Sequence, residues 1–218
     1  MNYGQQHRRR TLRLALIVCI VAAAAAAAAA VHGAEVMTEP TESSTACPHI
    51  VKRAAWGAAR SKNVTYQLKP VAKVIVHHTT GERCPTIAAC KEQVRGFQTA
   101  HQMQNGWSDI GYKYKSRLFL IGPATIYEGI GWHRVGAHLR GHNRDSIGVA
   151  FIGNFDQIRP TPRSLEQLDL LLQCGVELGE LTDDYQLYGA LQLQSTNSPG
   201  QRLYAKLQEH DHWTPWGN

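Results

Sequence analysis

From Cys47 onward, apolar and polar positions fall into alternating strand-like and helix-like stretches. Val71 to His78 is a Val- and Ile-rich run, broken only by Lys73 before its histidines, and predicts a buried strand. Ile87, Cys90, Val94, Phe97 and His101 recur at spacings of three and four behind Thr86, which suits an N-cap. Arg117 to Ile121, Thr125 to Glu128 and Ser146 to Ile152 read as strands, the last alternating through Ile147, Val149 and Phe151. Ser164 is the expected cap of a second helix carrying Leu165, Leu168, Leu172 and Val176. Tyr185 to Tyr188 predicts a short strand, and Pro199 the opening of a last helix holding Leu203 and Leu207. Strands alternating with helices imply an α/β architecture whose sheet is covered by helices.

The first 46 residues obey other rules. Arg8, Arg9, Arg10 and Arg13 precede Leu14 to Val31, 18 apolar residues that include nine consecutive alanines. Val31-His32-Gly33-Ala34 then supplies the small residues a signal peptidase takes, so residues 1–33 read as a cleaved signal peptide. The alternative is a type II single-pass membrane anchor, since 18 residues reach the lower bound for a span. The high alanine content and the 13-residue tail favour cleavage. Residues 34–46 form a polar spacer without periodicity, and residues 47–215 form the domain.

The leader also explains the charge. The chain has 218 residues and a net charge of +6, but removing residues 1–33 leaves 19 basic residues against 17 acidic ones. No basic block survives, which argues against a nucleic-acid partner. Both readings of the leader put the domain in an oxidising space. Cys47, Cys84, Cys90 and Cys174 remain there, an even count that suits disulfides and allows three connectivities. Cys84 and Cys90 are near enough in sequence to staple one loop. No CxxC pair suggests a cysteine zinc site.

Nine histidines follow the leader, and His77-His78 is the informative pair. It ends an apolar strand and is followed by Thr79 and Thr80, so it opens onto a cleft where a site is built.

The pair belongs to a longer series. Cys47-Pro48-His49-Ile50-Val51, Trp56-Gly57, Val76-His77-His78-Thr79, Gly106-Trp107-Ser108-Asp109-Ile110-Gly111-Tyr112 and Tyr127-Glu128-Gly129 occur in that order. Gly131-Trp132, Val135-Gly136-Ala137-His138, Ser146-Ile147-Gly148, Phe151-Ile152-Gly153-Asn154-Phe155 and Cys174-Gly175-Val176-Glu177-Leu178-Gly179 continue it. Over about Cys47 to Trp213 this resembles insect-type peptidoglycan recognition proteins, relatives of the N-acetylmuramoyl-L-alanine amidases of the phage lysozyme type. The resemblance implies a type 2 amidase-like fold, with a central mixed β-sheet flanked by helices. It also implies disulfides Cys47–Cys174 and Cys84–Cys90, and peptidoglycan fragments and other peptidoglycan recognition proteins as partners.

Catalytic members of the family hold Zn²⁺ with two histidines and a cysteine, leaving a water in the fourth position. The first histidine corresponds to His77, and Tyr112 to a tyrosine that polarises the scissile carbonyl. The second histidine belongs in a block resembling Leu-Ile-Gly-His-Arg…Thr-x-Cys-Pro-Gly. Here that block runs from Leu187-Tyr188-Gly189-Ala190-Leu191 to Thr196-Asn197-Ser198-Pro199-Gly200, so the histidine is Ala190 and the cysteine is Ser198. Alanine has no donor atom, and a neutral hydroxyl is a poor zinc ligand. His210-Asp211-His212 can chelate, but reads as a solvated tail before Trp213. The expectation is a receptor without cofactor or catalytic residues, acting in innate immunity and binding muramyl peptides through His77, His78, Thr79, Trp107, Tyr112, Arg134, His138 and Thr196. Arg134 is the candidate fork for the extra carboxylate of diaminopimelic stems. The rival expectations are a zinc amidase and a membrane-anchored co-receptor.

Overall fold

The computed structural model describes residues 47–66, 68–111, 117–135 and 138–215. The leader, the spacer and Tyr112 therefore lie outside the described residues.

Six strands form one sheet in the order β1-β4-β3-β5-β2-β6. They are β1 (Ile50–Val51), β2 (Val71–His78), β3 (Arg117–Ile121), β4 (Ile126–Glu128), β5 (Ser146–Phe151) and β6 (Leu181–Gly189). Only β3 and β4 run antiparallel, as a tight hairpin allows; the other pairs are parallel, so the sheet is mixed. The helices are α1 (Ile87–Met103), α2 (Pro162–Glu177) and α3 (Gln201–Leu207).

Period-two alternation splits the core. In β3, Phe119 and Ile121 join Val74, Val76, Val149, Phe151 and the leucines of α2 and α3. Leu118 and Leu120 join Trp56, Cys90, Val94 and Ile110 on the α1 side. Each such buried side chain contributes about 1.5–3 kcal/mol. The disulfides Cys47–Cys174 and Cys84–Cys90 are both formed. The first ties the chain segment entering β1 to α2; the second staples the loop entering α1.

Four local expectations need correcting. Helix α2 is capped by Thr161, whose hydroxyl accepts from Ser164 N, and Pro162 sits in its first turn. The fixed φ and missing N–H of proline suit it to that position, so the helix starts before Ser164. Strand β6 spans nine residues rather than four. Its stretch Thr182-Asp183-Asp184, exposed at both aspartates, lies at the sheet edge, where no apolar alternation is required. Pro199 lies ahead of α3, whose cap is Gly200. At φ 87°, a Cβ on Gly200 would meet the backbone of Phe155 at 2.5 Å, so only glycine passes. The segment after α3 is not a solvated tail. Leu187 N donates to His212 O, Thr214 N donates to Leu187 O, and His212 stacks on Tyr185 with ring centroids 4.0 Å apart. The tail thereby covers part of the β6 edge.

Candidate functional site

Strands β2, β5 and β6 are adjacent and parallel, and their carboxyl ends reach His78, Phe151 and Gly189. Ligand crevices of open α/β sheets form at such ends. A cleft of about 750 Å³ opens there, lined by His77, His78, Trp107, His138, Thr196 and Ser198, with Thr80, Asn105, Asp156, Gln194 and Asn197 around them.

His77 is buried, with Nε2 3.1 Å from Nδ1 of His138. His138 Nε2 lies 3.0 Å from Ser146 Oγ. Burial, then the neighbouring His78, lowers the His77 pKa to about 3. Burial also holds His138 well below the usual imidazole range, with His77 and His142 adding to the effect. Both rings are therefore neutral at physiological pH. His78 is lowered by burial and partly restored by Asp156; its Nδ1 accepts from Phe155 N at 3.2 Å, which places its proton on Nε2.

Trp107 forms an aromatic wall. The His101 ring backs it at 4.7 Å between centroids, and Trp107 N donates to His101 O. His101 Nδ1 accepts from Gly111 N, and burial lowers its pKa to about 4.

The remaining expected residues are placed as follows. Thr79 fastens strands: its N donates to Phe151 O and its hydroxyl accepts from Gly153 N at 2.9 Å. Thr80, at φ 62°, takes the place on the cleft wall. Arg134 is half-buried, donates to Ser61 Oγ at 3.1 Å and bridges Tyr66 through its backbone. It is not among the residues lining the cleft. Asn105, Asp156, Gln194 and Asn197 line the cleft without being among the residues expected there. The signal for two of them was the polar run Gln194 to Ser198 between Leu193 and Pro199.

Ala190 and Ser198, the two positions where the resemblance leads one to expect zinc ligands, are integrated into the fold. Ala190 is fully buried against Ile75, Leu139 and Leu193, away from the cleft lining. Ser198 Oγ accepts from His78 N at 3.1 Å, and Ser198 N donates to Thr196 Oγ1 at 3.2 Å. β6 gives way to a 3-10 turn at Ala190, so the Ser198 hydroxyl satisfies a β2 N–H beyond the last β6 pairing. His77, the methyl group of Ala190 and the engaged hydroxyl of Ser198 do not suit a zinc ion.

The family model described as N-acetylmuramoyl-L-alanine amidase matches residues 67–201. The chain belongs to that family, among its peptidoglycan recognition proteins. It is 43% identical over 164 residues, 75% of this chain and 88% of the relative, to the peptidoglycan recognition protein of Trichoplusia ni. It is similar, at 42% identity and a TM-score of 0.71, to a chain in the complex of tracheal cytotoxin with the ectodomains of peptidoglycan recognition proteins LCa and LCx. That match covers 76% of this chain and 98% of the other. Peptidoglycan recognition protein LE in complex with tracheal cytotoxin, a monomeric diaminopimelic acid-type peptidoglycan, is 38% identical with a TM-score of 0.72. Here 76% of this chain and 95% of the other are covered. The type 2 amidase-like fold is thus that of the peptidoglycan recognition proteins.

Proposed function

We propose that this peptidoglycan recognition protein is a secreted innate-immune receptor that binds muramyl peptides in the His77 cleft without hydrolysing them. The observation that carries this reading is the donor set. The cleft keeps His77, Trp107 and Thr196, while the positions expected to complete a zinc site are a buried Ala190 and a Ser198 hydroxyl held by His78 N. Amide hydrolysis by this family's chemistry needs a metal-activated water, and these residues cannot hold the metal. Binding needs only a shaped cleft with polar and aromatic walls, and that remains. The liganded relatives, which hold tracheal cytotoxin, support peptidoglycan fragments as the ligand class.

Preference for diaminopimelic stems falls to Arg134, and requires a ligand that reaches past the cleft to that guanidinium. Secretion rests on cleavage near Ala34; an anchored co-receptor that pairs with another peptidoglycan recognition protein is the second reading, favoured by the apolar run Leu14 to Val31. The N-terminal residue of the purified protein separates them. The test of the main reading is calorimetric titration with a muramyl tripeptide, run beside a stem-release assay and metal analysis on protein never exposed to chelator. Saturable binding, no released stem and no stoichiometric zinc are expected; released stem overturns the reading.

A further inference from the structure

His138 lines the cleft, yet both of its ring nitrogens are already engaged within the protein. The direction of each bond can be worked out from the far end. Ser146 Oγ carries one proton, and its bond to the carbonyl of His142 uses it, because a carbonyl only accepts. Ser146 Oγ must therefore accept from His138 Nε2–H. The neutral His138 ring then has a lone pair on Nδ1, which accepts from His77 Nε2–H. Proton positions in the three groups follow from one backbone carbonyl.

A second, independent observation concerns the ring's seat. Gly148 lies in the middle of β5, where glycine weakens a strand. A Cβ there would come within 2.7 Å of Cγ and 2.8 Å of Cδ2 of His138. The strand gives up a side chain so that the imidazole can lie against its backbone. On the other side, Asn143 Oδ1 accepts from His138 N and Leu139 N, both at 3.0 Å. Ring, edges and main chain are all fixed.

We propose that His138 is a positioning residue, holding His77 as its Nε2–H tautomer in the cleft, with Ser146 and Gly148 as the parts that hold His138 itself. The proposal rests on the reading of this cleft as the muramyl-peptide site. In it the unprotonated nitrogen of His77 is always Nδ1, so the ring keeps one fixed pattern of donor and acceptor rather than two interconverting ones. His138 acts through His77, its own two ring nitrogens being engaged within the protein.

The test is long-range ¹⁵N–¹H correlation on the full chain labelled at histidine, near pH 7, with muramyl tripeptide titrated into the same samples. In the unsubstituted protein His77 and His138 should both show protonated Nε2 and bare Nδ1. Ser146→Ala removes the acceptor for His138 Nε2–H, so the His77 signals should move to a tautomer mixture and affinity should fall about three- to tenfold. Ser146→Thr keeps the hydroxyl and should restore both readouts. Should Ser146→Ala fail to fold, the unsubstituted spectrum still decides: a protonated Nδ1 on His77 or His138 overturns the proposal. A shifted tautomer with unchanged affinity overturns the positioning role. The predicted spectrum in a protein that binds no muramyl peptide overturns the site reading alone and leaves the proton assignment standing.

Discussion

The backbone N–H of His78 donates to the hydroxyl of Ser198 at 3.1 Å, joining the end of β2 to the loop ahead of α3. The hydroxyl caps the strand. Ser198→Ala leaves that part-buried N–H without its acceptor, so the midpoint of urea unfolding should fall by the equivalent of about 1–3 kcal/mol. An unchanged midpoint would show that water replaces the hydroxyl at no cost.

If Ala190 and Ser198 stand where relatives hold zinc ligands, building those ligands in has a structural cost. Ala190 packs against Ile75, Leu139 and Leu193, so Ala190→His alone overfills a closed apolar cluster and should destabilise by about 1–3 kcal/mol. Ala190→His with Ser198→Cys should gain thermal stability on addition of zinc, while neither single variant responds. Thermal melts with and without zinc check this; equal responses from the single and double variants would refute the ligand assignment.

Acid should weaken the fold through its buried histidines. His77 and His101 are lowered to about 3 and about 4, and His138 lies well below its usual value. Their unfolded pKa lies near 6.5, so below that pH the unfolded chain takes up protons that the folded chain refuses. The stability they contribute is therefore complete above about pH 6.5 and is lost progressively as pH falls towards 4 and 3. Urea unfolding at several pH values between 7 and 4 checks the slope, and His101→Gln should flatten it by up to one proton.

Trp107 should be the main apolar contact for ligand. Its ring already packs, tilted, against His101, so little ordering is left to oppose binding. Trp107→Ala should weaken muramyl tripeptide binding about tenfold with the melting temperature little changed. His101→Ala should weaken it less, by loosening the wall. Calorimetry on both variants gives the comparison.

Arg134→Ala tests ligand choice. If a diaminopimelic stem reaches the guanidinium, its affinity should fall by roughly ten- to a hundredfold, the range for a charge-assisted pair. Lysine-type binding should stay almost unchanged, and Arg134→Lys should recover only part. Matched salt is needed to exclude a long-range charge effect. Loss for neither ligand would leave Arg134 as the partner of Ser61 alone.

Most of the sheet was legible because its strands obey simple periodicities. β2, β3 and β5 are buried runs, and α1 carries its apolar stripe behind a true N-cap at Thr86. The polar half of β6 was not legible, since an edge strand needs no alternation, and neither was the two-residue β1. At the site, His77 and His78 are legible as a polar pair ending an apolar strand, and Trp107, His138 and Thr196 through the resemblance; all five line one cleft. Sequence order could not tell that Thr79 fastens β2 to β5 while Thr80 lines the wall, because that depends on the left-handed backbone at Thr80. Nor could it tell that His138 has both nitrogens engaged, which depends on a serine eight residues away meeting it across a turn. Arg134 was chosen for its chemistry, and chemistry alone does not place a side chain.

Binding without hydrolysis is tested most directly by one incubation. Protein purified without chelators is mixed with zinc and a muramyl tripeptide, then followed by calorimetry and by mass spectrometry of the ligand. Saturable binding with the ligand recovered intact is the predicted result. A free stem peptide accumulating in proportion to protein, and abolished by His77→Ala, would contradict it.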